Sequence, residues 1–178
     1  MKETFKIMKE TLKNNKKLIP LILYPYAYWI NGTFFGNSMF LALIYNIYVL
    51  FITIYYPIFV IYNKIPAHDA AMINLLIKGL QIPAYLYHFI LGIAGVAIGP
   101  IFGVPIIIWV IIVDWITIML TGICSIGCHV QMKREGLIST VKAFWMLIGS
   151  FVYCIDVFIA IKYVIICKKI TQTEISSI

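Results

Sequence analysis

Charged residues are missing from two long stretches of this chain. Between Leu18 and Asn63 there is no Lys, Arg, Asp, Glu or His, and residues 79–132 contain only His88, Asp114 and His129 up to the basic loop. A helix that crosses a bilayer needs roughly 20 apolar residues, so each stretch has room for two crossings. The composition therefore excludes a soluble protein and predicts a polytopic membrane protein.

The chain also lacks a polar segment long enough to fold on its own. It has 178 residues, of which 62% are hydrophobic and only 12% are charged. We expect no attached soluble catalytic domain, because none of the polar segments can bury a core. We expect a single transmembrane helical domain at residues 18–167, between a basic N-terminal segment at 1–17 and a polar tail at 168–178.

Acidic residues are scarce, with 7 Asp and Glu against 14 Lys and Arg and a formal net charge of +7. In a soluble protein this balance would suggest nucleic acid as a partner. Here the basic residues lie at the ends of apolar segments, where they orient helices and contact lipid headgroups. We therefore expect the lipid bilayer, and no nucleic acid, to be the partner of these charges.

Turn-forming residues divide the apolar stretches into five predicted spans of an all-α bundle. The breaks lie at Asn31-Gly32-Thr33 and at Gly99-Pro100. The predicted spans cover residues 18–34, 38–62, 80–98, 104–126 and 143–167. The segment at 1–17 places Phe5, Met8 and Leu12 on one face among lysines, which predicts an interfacial amphipathic helix.

Lysine and arginine are unequally distributed between the predicted loops. The loops around Gly32 and Gly99 have none, whereas the N-terminal segment and the loops after the second and fourth spans contain several, including Lys64, Lys78, Lys133, Arg134 and Lys142. The positive-inside rule then predicts a cell-membrane protein with a cytoplasmic N-terminus. A fifth crossing would put Lys168 and Lys169 outside, against the rule. An external C-terminus, a re-entrant final segment or an incomplete earlier crossing would explain this, and five crossings are favoured.

Small and polar residues recur on one face of four predicted spans. The four stripes are Gln81, Tyr85, His88, Gly92, Gly95 and Gly99; Asp114, Thr117, Thr121 and Cys128; Gly149, Tyr153, Asp156 and Ala160; and Ala42, Asn46, Val49 and Thr53. Residues three and four apart share a helix face, so all four stripes are predicted to face the bundle interior. Close helix packing in lipid alone would account for most of these residues.

Two carboxylates at the middle of their spans go beyond what packing requires. Asp114 and Asp156 each cost roughly 2.5–3.5 kcal/mol at the bilayer centre on insertion scales, and His88 also lies at mid-depth. No basic residue is evident beside either carboxylate in the sequence. In the alternative to packing alone, burial favours the neutral acids and two adjacent carboxyl groups share one proton. The predicted cation or proton site consists of Asp114, Asp156, His88, Thr117, Tyr153 and Asn46.

No metal or other cofactor is expected. Cys124, Cys128 and His129 lie close in sequence, but structural zinc usually has four ligands and no second ligand pair of similar spacing exists. All cysteines lie within or next to apolar segments, where thiols behave as small hydrophobic groups, so no disulfide framework is predicted.

Three classes of function follow from these observations. The leading expectation is a non-enzymatic membrane protein that acts as a homo-oligomer or as a subunit of a larger, transport-associated membrane complex. The alternative is a small ion or proton channel or secondary transporter that uses the intramembrane carboxylates. A membrane-embedded enzyme is the third, and the chain has no phosphate-cradling loop or recognisable catalytic set to favour it.

Overall fold

A computed structural model describes residues 16–27 and 38–176, and this part of the chain forms helices and turns without a strand. Short 3₁₀ turns lie at Lys16–Leu18 and Tyr24–Tyr26. The α-helices are α1 (Ile19–Ile22), α2 (Met39–Tyr62), α3 (Ala67–Ile98), α4 (Pro100–Arg134), α5 (Thr140–Gly149) and α6 (Ile155–Ser176). The predicted all-α fold is thereby confirmed. Almost all of the predicted amphipathic helix, and the turn at Asn31, lie outside the described residues.

Three of these helices are long and apolar enough to cross a bilayer, namely α2, α3 and Ile101–Arg134 of α4. At about 1.5 Å per residue, α3 and α4 extend about 48 and 52 Å, more than the roughly 30 Å of hydrocarbon in a bilayer. The outward side chains of residues 80–98 and 101–115 are mostly large, apolar and exposed. Such a surface is suited to lipid, and the chain is a membrane protein.

The helix ends follow from local sequence. The hydroxyl of Ser38 accepts a hydrogen bond from the Leu41 amide at the start of α2, and Ser139 does the same for Lys142 at the start of α5. Between α3 and α4, Gly99 has a φ of 95°, which few residues other than glycine adopt, and Pro100 begins the next helix. The predicted turn at Gly99-Pro100 is therefore present.

Glycines hold α3 and α4 together near this turn. Gly95 of α3 faces Gly103 of α4, and a Cβ on Gly103 would lie 1.7 Å from the Gly95 carbonyl oxygen. A side chain at Gly103 would therefore force the two backbones apart. Gly92, one turn earlier on α3, is free of this constraint, because a Cβ at that position would have no heavy atom of another helix within 4 Å.

We therefore expect Gly103→Ala to destabilise the hairpin by about 1–3 kcal/mol, the usual cost of overpacking. Gly92→Ala is the matched control and should leave the thermal unfolding temperature in detergent close to that of the wild type. Equal unfolding temperatures for the two variants would contradict the close approach of α3 and α4.

The helices α2 and α4 run parallel and pack along their last halves. The Cys124 thiol donates to the Thr53 carbonyl at 3.7 Å, and the Gln131 amide donates to the Val60 carbonyl at 2.7 Å. Since both contacts join residues 71 apart in sequence, the helices advance together in the same direction. The ends of α2 and α4 and the start of α3 therefore lie at one end of the bundle.

Helices α5 and α6 form a hairpin that enters and leaves the bundle at this same end. At the bottom of α5, the Ser150 carbonyl accepts a hydrogen bond from Lys78 Nζ of α3 at 3.3 Å. The first turn of α6 is at the same depth, where Asp156 contacts Lys78. Further along α6, Tyr163 contacts His129, close to the end of α4. From the depth of Lys78, α6 therefore runs towards the end of the bundle where α4 ends, and it does not complete a crossing.

This hairpin corrects the preference for one continuous span at 143–167. The helical backbone is interrupted at residues 150–154, where Cys154 has a φ of 63°. A re-entrant final segment is one of the alternatives that the sequence leaves open. It brings Lys168 to the end of the bundle that carries Lys64 and Arg134, so the conflict with the positive-inside rule disappears.

A cysteine introduced at Lys168 should therefore be labelled from the same side of the membrane as one introduced at Glu135. The native cysteines are first replaced by Ala or Ser, and labelling with a membrane-impermeant maleimide is compared in intact and opened cells. A cysteine at Gly99 should react from the opposite side. Labelling of Lys168→Cys from the Gly99 side would restore the continuous fifth crossing.

Candidate functional site

An acid–base pair joins α3 and α4 in the half of the bundle near Gly99. His88 Nδ1–H donates to Asp114 Oδ1 at 2.5 Å, and the His88 side chain is completely buried. The carboxylate is slightly exposed, and the ring of Trp109 makes an edge contact with His88 at 6.0 Å between centroids. A histidine N–H that donates to a carboxylate makes a charge-assisted hydrogen bond, which is stronger than one between neutral groups.

This pair lies at the base of an apolar cleft between α3 and α4. The cleft has a volume of about 520 Å³, and Tyr153 from the α5–α6 turn forms part of its wall. The other walls are aliphatic and aromatic side chains of the two helices, among them Phe89, Ile111 and Trp115. The cleft therefore combines one ionisable pair with a lining that excludes most other polar contacts.

A second acid–base pair lies deeper, at the turn of the α5–α6 hairpin. Lys78 Nζ is 3.1 Å from Asp156 Oδ2, and both side chains are 0% exposed. The same ammonium donates to the Ser150 carbonyl, one of the backbone groups left without a helical partner by the break. Within the described residues, Asp156 Oδ1 is buried without a hydrogen-bond partner. The pair is thus fully removed from solvent.

Buried polar side chains continue from this second pair towards the end of α4. Tyr163 lies beside Ser150 and contacts His129. His129 Nδ1–H donates to the Ser125 carbonyl at 2.7 Å, which leaves Nε2 of the neutral ring to accept from the Tyr163 hydroxyl. The Ser125 hydroxyl in turn donates to Asn74 Oδ1 at 2.8 Å.

Two tyrosines lie between the pairs. Tyr85 and Tyr153 pack edge to face with centroids 5.4 Å apart. Both tyrosines lie within electrostatic range of Asp114 and of Asp156. The Tyr85 hydroxyl donates to Gln81 Oε1 at 3.4 Å. The tyrosine pair therefore connects the cleft with the buried centre of the bundle.

The structure brings together only some of the predicted site residues. His88, Asp114 and Tyr153 meet at the cleft, as described above. Thr117 is buried, but its hydroxyl donates to the Val113 carbonyl of its own helix. Asn46 is exposed and donates to the Ala42 carbonyl one turn earlier, so its predicted inward position is wrong.

The predicted pairing of the two carboxylates is also corrected. Asp114 contacts His88, whereas Asp156 contacts Lys78, so each carboxylate has its own basic partner. The predicted place of Lys78 in a cytoplasmic loop is wrong. This residue lies about 17 Å along α3 from Ala67, because that helix begins well before residue 80.

The sequence contains a signal that places Lys78 correctly. The stripe that begins at Gln81 continues backwards at spacings of three and four to Lys78 and Asn74, and both are buried. His129 and Ser125 extend the facing stripe of α4 in the same way. If the two stripes are continued through charged and polar residues instead of being ended at them, they predict that Asn74, Lys78, Ser125 and His129 are buried together.

The arrangement gives little support to a metal site. Among residues 16–27 and 38–176, no three His, Cys, Asp or Glu side chains are grouped closely enough to bind a metal ion. Both nitrogens of His129 are engaged by Ser125 and Tyr163. Comparisons with protein-family models, with curated proteins and with solved structures found no match to this chain. Its function is therefore argued from these pairs alone.

Lys78 and Asp156 form the inner pair of the bundle. Removing one member of this inner pair should destabilise the protein strongly. Lys78→Met leaves a buried carboxylate without its cation, which typically costs about 3–5 kcal/mol. The double variant Lys78→Met with Asp156→Leu removes both charges and should regain most of that stability. Lys162→Met, at an exposed position of α6, is the control. Thermal unfolding in detergent measures all three, and a single variant as stable as the control would contradict the pairing.

Proposed function

We propose that this protein is an integral membrane transport protein that moves protons by way of its two buried acid–base pairs. The observation that carries the proposal is the pair of ionisable contacts, His88 with Asp114 and Lys78 with Asp156, inside a bundle of apolar helices. Ionisable groups at bilayer depth are costly, and they mark ion and proton pathways in membrane proteins.

The position of the inner pair supports this proposal. Asp156 lies in the first turn of α6, directly after the interrupted backbone at residues 150–154. Transport proteins commonly place ion-binding groups at interrupted helices, where irregular backbone is sheltered within the protein. In this protein the interrupted backbone at residues 150–154 and the contact of Lys78 with Asp156 lie at the same depth in the bundle.

Packing alone is a weaker explanation of the same residues. A buried ion pair is often no more stabilising than apolar residues of similar volume, because both charges must leave water. Helix association in lipid is served by small residues, which this bundle already has at Gly95 and Gly103. Charged pairs are therefore additional to what the packing of α3 and α4 requires.

The role as an oligomer or complex subunit is the leading expectation from the sequence and remains a prediction. The exposed apolar side chains of α3 and α4 suit lipid as well as a protein partner, so they do not favour association over transport. We further propose, from the basic residues Lys64, Lys133 and Arg134, that the end of the bundle carrying them faces the cytoplasm of the cell membrane.

Proton movement is measured with purified protein in liposomes that contain a pH-sensitive dye, under a potassium diffusion potential. We expect wild-type flux above that of empty liposomes and loss of most of it in Asp114→Asn, which keeps the shape but not the titrating proton. The double variant Lys78→Met with Asp156→Leu should also lose flux while remaining folded.

Asp69→Asn is the matched control, because Asp69 is exposed at the start of α3 and its replacement should leave the flux unchanged. Variants are compared at equal amounts of reconstituted protein of verified monodispersity. Wild-type liposomes indistinguishable from empty ones between roughly pH 5.5 and 8, the range in which histidine titrates, would refute the proposed function.

A further inference from the structure

The cleft between α3 and α4 has the size of a small-molecule site. Its volume of about 520 Å³ falls within the roughly 300–1,000 Å³ of typical ligand pockets. Gly92 lies in its wall with open space where a side chain would be, which widens the cleft at that point. The volume suits an organic molecule with an apolar body.

Asp114 supplies the charge that such a molecule would meet. The Asp114 side chain is 12% exposed. The His88 side chain is 0% exposed, and its hydrogen bond engages one oxygen of the Asp114 carboxylate. No Lys or Arg lines the described part of the cleft. Three aromatic rings do, from Phe89, Trp115 and Tyr153, and aromatic faces attract cations.

Other ligand classes fit this lining poorly. An anion would meet the carboxylate, and His88, the basic side chain of the described lining, is already paired with that carboxylate. A sugar would find few hydrogen-bonding groups on the aliphatic walls. A bare divalent ion usually takes several oxygen ligands, and Asp114 is the sole carboxylate among the described lining residues. The remaining class combines an apolar body with a positive charge.

We propose that the cleft binds a lipophilic organic cation, such as a hydrophobic amine or quaternary onium compound, which competes with a proton for Asp114. This inference rests on the proposed function and deepens it, since it identifies the pair of His88 and Asp114 as the place where substrate and proton exchange. The cation would place its charge against Asp114 and its apolar groups against Phe89 and Trp115.

Tetraphenylphosphonium is the probe, measured by equilibrium dialysis against the purified full-length protein in detergent. The titratable groups facing Asp114 are His88 and Tyr85 of α3 and Tyr153 of the turn. Because the proposed site takes either a proton or the cation, mass action predicts a higher affinity at about pH 8 than at about pH 5.5. Asp114→Asn should weaken binding at the higher pH by about tenfold or more.

Gly92→Leu gives an independent variant, because it fills the cleft from a position with open space around it and should weaken binding while leaving the unfolding temperature unchanged. Asp69→Asn should bind as the wild type does. Tetraphenylborate, an anion of nearly the same shape, should bind at least about tenfold more weakly than the cation.

Equal binding of the two probes, or undiminished binding by a folded Asp114→Asn variant, would overturn the cation site and leave an apolar groove for lipid chains. The two proposals fail in different ways. Cation binding without proton flux in the liposomes refutes the proposed function alone, and flux without cation binding refutes the cation site alone.

Discussion

The contact between Lys78 and Asp156 is the interaction on which the rest of the bundle depends. The break at residues 150–154 leaves backbone groups without helical partners at a depth where water is scarce, and such groups are costly in an apolar medium. Lys78 donates to both the Ser150 carbonyl and Asp156, so a single ammonium stabilises the end of one helix and the start of the next. A hairpin that turns back within the bundle is tolerable because this cation lies at its turn.

The charge pattern of the chain is consistent with this arrangement. Once α6 returns to the end of the bundle where α4 finishes, Lys168 joins Lys64 and Arg134, and the basic residues of the described loops are on one side. If Lys78 is counted as a loop residue, the lysine count includes a charge that is in fact buried and paired, not exposed at the membrane surface. Hydropathy treats each charge separately, whereas the cost of burying Lys78 depends on its partner 78 residues away in sequence.

The sequence predicts the individual helices better than their contacts. Residues 38–62 are predicted as a span and form Met39–Tyr62, and the inward face of Gln81, Tyr85 and His88 is buried. These features follow from periodicity and turn residues within a single helix. The pairing of each carboxylate could not be predicted in that way, because it depends on which helices become neighbours. Asn46 shows the same limit: its spacing matches an inward stripe, but the described hydrogen bonds between α2 and α4 lie in the later half of α2, at Thr53 and beyond.

The proposed proton transport depends on the pairing of each acid with a base at this depth. In each pair, moving a proton from the base to the acid would convert an ion pair into two neutral groups. Neither state leaves a large isolated charge in the apolar interior. A lone carboxylate at the same place would have to bear the full cost of ionisation. The pairs differ in access, since Asp114 borders the cleft whereas Asp156 is fully buried, and the hydroxyl-bearing rings of Tyr85 and Tyr153 lie between them. In the proposed transport, a proton would pass in steps between the accessible pair and the sealed pair, because a continuous open path would allow uncontrolled leakage.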